Sequence, residues 1–306
     1  MSASNLLNLG ILAHVDAGKT SLTERLLFAA GVIGEIGSVD KGSTQTDTLA
    51  LERQRGITIK SAVVSFGIGD VTVNLIDTPG HPDFIAEVER VLTVLDGAVL
   101  VISAVEGVQA QTRVLMRTLR RLGIPVLIFV NKIDRGGADT QRVLRDIRAR
   151  LTRDIVPMGS VHNLGRRDAS FARYGAADAG FTAGLAEALA EHDDALLAAW
   201  VEDEAAVPYS RLRAALVARA RQGLVYPVFF GSASTGAGVA ALTDGIQELL
   251  PRAGGAADVV DDPGGEQQPL GQAGLTGVDV RQDPQVQRAH GVSCPLRRRQ
   301  VPSGRT

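Results

Sequence analysis

Residues 126–130 read Val-Leu-Ile-Phe-Val, with no polar side chain among them. A strand of that composition has to be covered on both faces, which is the condition inside a mostly parallel sheet with helices above and below it. The pattern recurs along the chain. Strand-like runs are expected at 9–15, 62–66, 71–76, 98–103, 126–130 and 225–230. Helical periodicity fits 19–30, 83–95, 109–122, 140–151 and 239–250. Residues 67–70 form a plausible hairpin turn between the second and third strands. Strands alternating with helices in this way specify an α/β class with a mostly parallel, doubly wound sheet.

Composition narrows the remaining choices. The 306 residues carry a formal net charge of −2, from 32 Lys plus Arg against 34 Asp plus Glu, and 45% are hydrophobic. That is ordinary for a soluble globular chain and excludes a globally basic nucleic-acid binder, so no DNA partner is expected. No apolar run approaches the length of a membrane span, and the start of the chain reads as a buried strand rather than a leader. The single cysteine, Cys294, excludes an internal disulfide framework and a cysteine-based zinc site, and points to a reducing, cytoplasmic setting. Lys19, Lys41, Lys60 and Lys132 are the only lysines in a chain that otherwise uses arginine. Two of the four fall in the motifs described below, where a compact ammonium suits the chemistry.

Two stretches interrupt the rhythm. Between 155 and 223 the strand signal fades into Gly- and Ala-rich sequence, read as a helical and irregular insertion with two helices near 185–201 and 210–222. Arg211, Arg213, Arg219 and Arg221 in it suit either RNA contact or, with more weight, a solvated helix face. After Phe230 there is no aromatic residue, and residues 252–306 hold nine glycines and an Arg-Arg-Arg run. Such a segment buries too little surface to offset its ordering entropy, so a disordered tail is expected after a domain spanning 1–251.

Four short motifs carry chemistry. Residues Ala13-His14-Val15-Asp16-Ala17-Gly18-Lys19-Thr20 lie between a strand and a helix start and fit a phosphate loop, with alanine in the first glycine position. Backbone amides there form an anion cradle, Lys19 neutralises phosphate charge and the Thr20 hydroxyl suits Mg²⁺. Asp77-Thr78-Pro79-Gly80-His81 follows the third strand. Its carboxylate suits Mg²⁺, and Gly80 lets a backbone amide approach a terminal phosphate. Asn131-Lys132-Ile133-Asp134 follows the run 126–130. An ionised Asp134 accepts two hydrogen bonds from a guanine edge, whereas adenine leaves it unpaired. Asn131 would bond the base edge or brace the phosphate loop, and the Lys132 stem would cover the ring. Gly231-Ser232-Ala233 ends the last strand, where ligands of such sheets bind, and the Ala233 amide would meet guanine O6. In this order the motifs specify a GTP/GDP site with Mg²⁺. His14 is read as making a structural hydrogen bond, His162, His192 and His290 as surface residues, and Trp200 as packing.

The phosphate loop, Arg55-Gly56-Ile57-Thr58-Ile59 and Asp77-Thr78-Pro79-Gly80-His81 together resemble the translational GTPases. The resemblance spans about 5–250 and implies a P-loop GTPase domain whose insertion matches the extra subdomain of elongation factor G relatives. It further implies that Thr58 closes on Mg²⁺ beside Thr20 and Asp77, that Val15 and Ile57 form an apolar gate, and that His81 is the catalytic residue, orienting the attacking water. Residues 37–47 and 51–59 look most like the tetracycline-resistance ribosomal protection proteins, with 108–113 in agreement. The implied partner is the ribosome, engaged by a monomer with GTPase activity that the ribosome stimulates. Family members continue into a β-barrel and further domains, whereas this sequence changes character after Pro251. A tail that comes from a truncation or a reading-frame change is the expectation, and drug release by this chain alone is then expected to be impaired. The alternatives are an elongation factor G-like translocation factor and a severed G domain that binds nucleotide without catalysis.

Overall fold

The computed structural model describes residues 5–36, 62–77, 92–191, 193–202 and 207–252. All lie in one unit, Met1–Asp258; the second unit, Val259–Thr306, falls outside the described residues, as does all but Arg252 of the tail expected to be disordered at 252–306.

Seven strands form one sheet. They are β1 (Leu6–Ala13), β2 (Ala62–Ile68), β3 (Val71–Asp77), β4 (Gly97–Ser103), β5 (Val126–Asn131), β6 (Ile155–Pro157) and β9 (Tyr226–Phe230), in the order β2-β3-β1-β4-β5-β9-β6. Only β2 runs antiparallel to its neighbour, joined to β3 by the expected turn at Gly69–Asp70. Helices α1 (Lys19–Ala29), α2 (Ala110–Arg121), α3 (Thr140–Arg150) and α7 (Val239–Leu249) begin and end within two residues of their expected positions. The helix expected at 83–95 lies mostly outside the described residues.

The period of two in the strands divides the interior. Leu9, Ile11, Val99, Val101, Leu127 and Phe129 point to the face covered by α1 and α7. Leu100, Ile102, Ile128 and Val130 point to the opposite face, under α2 and α3. Every residue of β4 and β5 is buried, as the all-apolar runs require. Burying each large apolar side chain contributes about 1.5–3 kcal/mol, so the central strands dominate the stability of this region. Among the described residues no helix is long and apolar enough to cross a membrane.

The insertion differs from its sequence reading. It opens with β6, which pairs parallel to β9 as the last strand of the sheet, and continues into a hairpin of β7 (Gly159–His162) and β8 (Ser170–Arg173). Three helices follow, α4 (Ala179–Ala190), α5 (Asp194–Glu202) and α6 (Tyr209–Arg221), where two were expected. The single helix anticipated at 185–201 is divided at Asp193, whose carboxylate accepts from the Leu196 amide (2.9 Å) and so caps a new helix. The arginines of α6 are engaged within the domain, with Arg211 exposed and Arg213, Arg219 and Arg221 half-buried. Arg213 pairs with Glu248 (2.6 Å), Arg219 with Asp193 (3.3 Å), Arg221 donates to the Glu248 carbonyl (3.0 Å), and Arg211 also has a partner. Trp200 is half-buried against the core, and His162 is exposed, both as expected. Arg252, assigned to the tail, donates to Asn5 Oδ1 (2.7 Å) and pairs with Asp70 (3.2 Å).

Candidate functional site

The loops at the carboxyl ends of β1, β5 and β9 meet at one edge of the sheet, where the switch from strand to helix leaves room for a ligand. The first loop follows Ala13. Asp16 (φ 63°) and Gly18 (φ 91°) are both left-handed, and the Ala17 amide donates to the His14 carbonyl (3.2 Å). This curls successive amides inward toward the start of α1, whose N-terminal residue Gly18 supplies no side-chain cap. The uncapped first turn retains donors for an external acceptor. Lys19 and Thr20 open the helix, 8% and 9% exposed. Val15 is among the exposed apolar residues.

Asn131 ties this loop to the rest of the site. Its side chain is buried; Nδ2 donates to the Ala17 carbonyl (2.8 Å) and Oδ1 accepts from the Ala233 amide (2.9 Å). Of the two roles open to Asn131, the structure shows the brace. The Ala233 amide, expected to be directed at a base, is already used in that brace, so a base contact from it has to share the hydrogen bond. Ser232 is buried, and its hydroxyl accepts from the Thr235 amide (3.2 Å). Gly18 packs so tightly here that a Cβ on it would lie 2.3 Å from Asn131 Nδ2.

Lys132 is also left-handed (φ 67°), and its Nζ lies 3.2 Å from Glu106 Oε1. Two residues on, the Asp134 carboxylate is 9% exposed, with Oδ2 3.7 Å from Arg135 Nε. Its other oxygen, Oδ1, is buried with no hydrogen-bond partner among the described residues. A desolvated, unpaired carboxylate oxygen is costly, and it leaves acceptor capacity that a ligand's donors could fill. Asp134 borders a cavity of about 620 Å³ that Arg135, Arg167, Ser234 and Thr235 complete. A larger cavity, about 690 Å³, lies away from these loops, between α3 and the insertion, lined among others by Leu144, Arg148 and Phe181.

Two features escaped the sequence reading. Arg25, midway along α1, donates to the carbonyls of Ala233 and Ser234 (2.9 Å to Ala233), fastening the phosphate-loop helix to the last loop. Nothing local marks it, because its partners lie some 208 residues away in sequence. The second is His14 Nδ1, which is buried without a hydrogen-bond partner among the described residues. Burial lowers its pKa below the ordinary imidazole value, with Lys132 acting the same way and Glu106 and Asp16 opposing.

Asp77 ends β3 in register with Ile11 of β1, beside the first loop. Thr58, Thr78, Pro79, Gly80 and His81 lie outside the described residues. Among the described residues there is no group of three or more His, Cys, Asp or Glu side chains that would hold a metal by itself.

Residues 4–252 match the family model described as the elongation factor Tu GTP binding domain. The chain belongs to that family. Among relatives, the oxytetracycline resistance protein of Streptomyces rimosus is 61% identical over 248 residues, covering 81% of this chain and 37% of that protein. The tetracycline resistance protein TetM of Streptomyces lividans is 56% identical over 247 residues, 81% of this chain and 38% of that one. This GTP-binding-domain chain therefore spans little more than a third of the length of these relatives. A crystal structure of a Thermus thermophilus protein superposes with a TM-score of 0.71 at 29% identity, over 80% of this chain and 40% of that one. The family's P-loop GTPase fold is thus the fold of the described residues.

Proposed function

We propose that this chain binds GTP with Mg²⁺ and hydrolyses it to GDP and phosphate, as the G domain of a ribosomal protection-type protein that counters tetracycline at the ribosome. The observation that carries the nucleotide reading is the buried, unpaired Asp134 Oδ1 at the same sheet edge as the curled, uncapped loop 13–20. Relatives named for tetracycline resistance, at 56–61% identity, support the subtype.

In this reading the loop amides and Lys19 take the phosphates, and Asn131 holds the loop in shape through Ala17. Asp134 accepts from guanine N1–H and the exocyclic amine, the Lys132 stem lies over the ring, and Ser232 with Ala233 closes the base edge. Adenine offers no matching donors, so it would leave Asp134 unpaired. The donor set suits Mg²⁺: the Thr20 hydroxyl opens α1, Asp77 ends the neighbouring strand, and Thr58 would join them. When bound, the ion neutralises charge developing on the transferred phosphoryl group. His81 orients the attacking water, and Thr78, Pro79 and Gly80 carry it. Intrinsic turnover is slow, and the ribosome accelerates it by setting His81 in position. The protein works as a monomer in the cytoplasm, where its partner is found.

The test is GTP hydrolysis with and without vacant ribosomes. Stimulation by ribosomes supports the proposal, while nucleotide binding without stimulation supports the severed-domain alternative. His81→Ala should keep GTP affinity within about threefold and lower stimulated turnover by about 10²–10⁴, the range for a positioned proton-handling side chain. Equal loss of binding and turnover would contradict the role given to His81. Tetracycline tolerance on expression separates the protection reading from the elongation factor G-like one.

A further inference from the structure

The loop between β4 and α2 holds an acidic residue in a fixed position beside the base site. The Ser103 hydroxyl, itself buried, accepts from the amides of Val105 (3.1 Å) and Glu106 (3.3 Å). Gln109 donates to the Glu106 carbonyl (2.7 Å), Arg142 donates to the Val105 carbonyl (2.5 Å), and Gly107 turns the chain with a φ of 68°. Lys132, opposite, is equally constrained. It sits left-handed between buried Asn131 and Ile133, whose amide donates to the Gly231 carbonyl (3.2 Å). The Glu106 carboxylate and the Lys132 ammonium meet at 3.2 Å. Both charges also act on His14 of the phosphate loop, Glu106 raising and Lys132 lowering its pKa.

We propose that Glu106 is a positioning residue for guanine recognition, holding the Lys132 ammonium off Asp134 so that this carboxylate stays free for the base. The inference rests on the guanine-nucleotide reading above. Asp134 Oδ1 is buried and unpaired, so it draws any donor within reach. Arg135 lies 3.7 Å from the other oxygen, Oδ2, and Lys132, two residues back on a flexible four-carbon stem, carries the ammonium that competes for Oδ1. Paired with Glu106, the ammonium is held on the far side and the stem alone faces the ring. Released, it would fold onto Asp134 and weaken the two bonds that select guanine.

The experiment compares affinity for GDP with affinity for inosine diphosphate, which lacks the exocyclic amine that Asp134 would accept. In the unmodified protein GDP binds more tightly. In Glu106→Gln the GDP-to-inosine-diphosphate affinity ratio should fall about two- to fivefold, the size of a partly exposed ion pair. Adding Lys132→Met to that variant removes the competing cation while keeping an apolar stem, and the ratio should recover. A ratio unchanged by Glu106→Gln, or a fall that Lys132→Met does not reverse, overturns the assignment. Absence of saturable GDP binding by the unmodified protein overturns the nucleotide reading, and this inference with it, before any variant is made.

Discussion

A side chain at position 18 would have no space. The backbone is left-handed (φ 91°), and the added carbon would stand 2.3 Å from Asn131 Nδ2. Gly18→Ala therefore carries about 1–2 kcal/mol of backbone strain. It also displaces Asn131, whose bonds to Ala17 and Ala233 are worth about 0.5–1.5 kcal/mol each. Thermal denaturation should show Tm falling by several degrees, whereas Gly175→Ala, where an added carbon meets nothing within 4 Å, should leave it unchanged. Equal Tm values for the two variants would contradict the brace. At this scale the site was legible where residue type alone carries chemistry: Gly18, Lys19, Thr20, Asn131 and Asp134 were all readable as a pattern. Arg25 and Glu106 were not, because an arginine on a helix and a glutamate in a loop acquire their roles only from partners that the fold brings beside them.

Elements were legible in proportion to their burial. β4 and β5 are buried throughout and announce themselves as unbroken apolar runs. β6 is three residues long and ends in proline, and β7 and β8 are short with polar and exposed residues, so no periodicity marks them. The break between α4 and α5 has a local cause in the Asp193 cap. Removing it with Asp193→Ala also releases Arg219, its ion-pair partner. Loss of a cap costs about 1 kcal/mol. In a domain of this size that lowers Tm by about 2–4 °C. Denaturation scans would check this, and a variant as stable as the parent would show that α5 is held by packing alone.

For the molecule as a whole, the central claim is that one sheet edge gathers three distant loops into a pocket selective for guanine nucleotides. Ala17, Asn131 and Ala233 come from widely separated parts of the chain and meet through two hydrogen bonds of 2.8 and 2.9 Å. In this account the pocket's selectivity falls chiefly to Asp134, whose Oδ1 is buried without a hydrogen-bond partner among the described residues. The most direct measurement is equilibrium binding of labelled GDP to the purified chain, with unlabelled ADP and GDP as competitors. The account predicts saturable binding displaced by GDP and untouched by ADP at about a hundredfold excess, as rejection by an unpaired buried carboxylate requires. Displacement by ADP at the same concentrations as GDP, or no saturable binding, would contradict it.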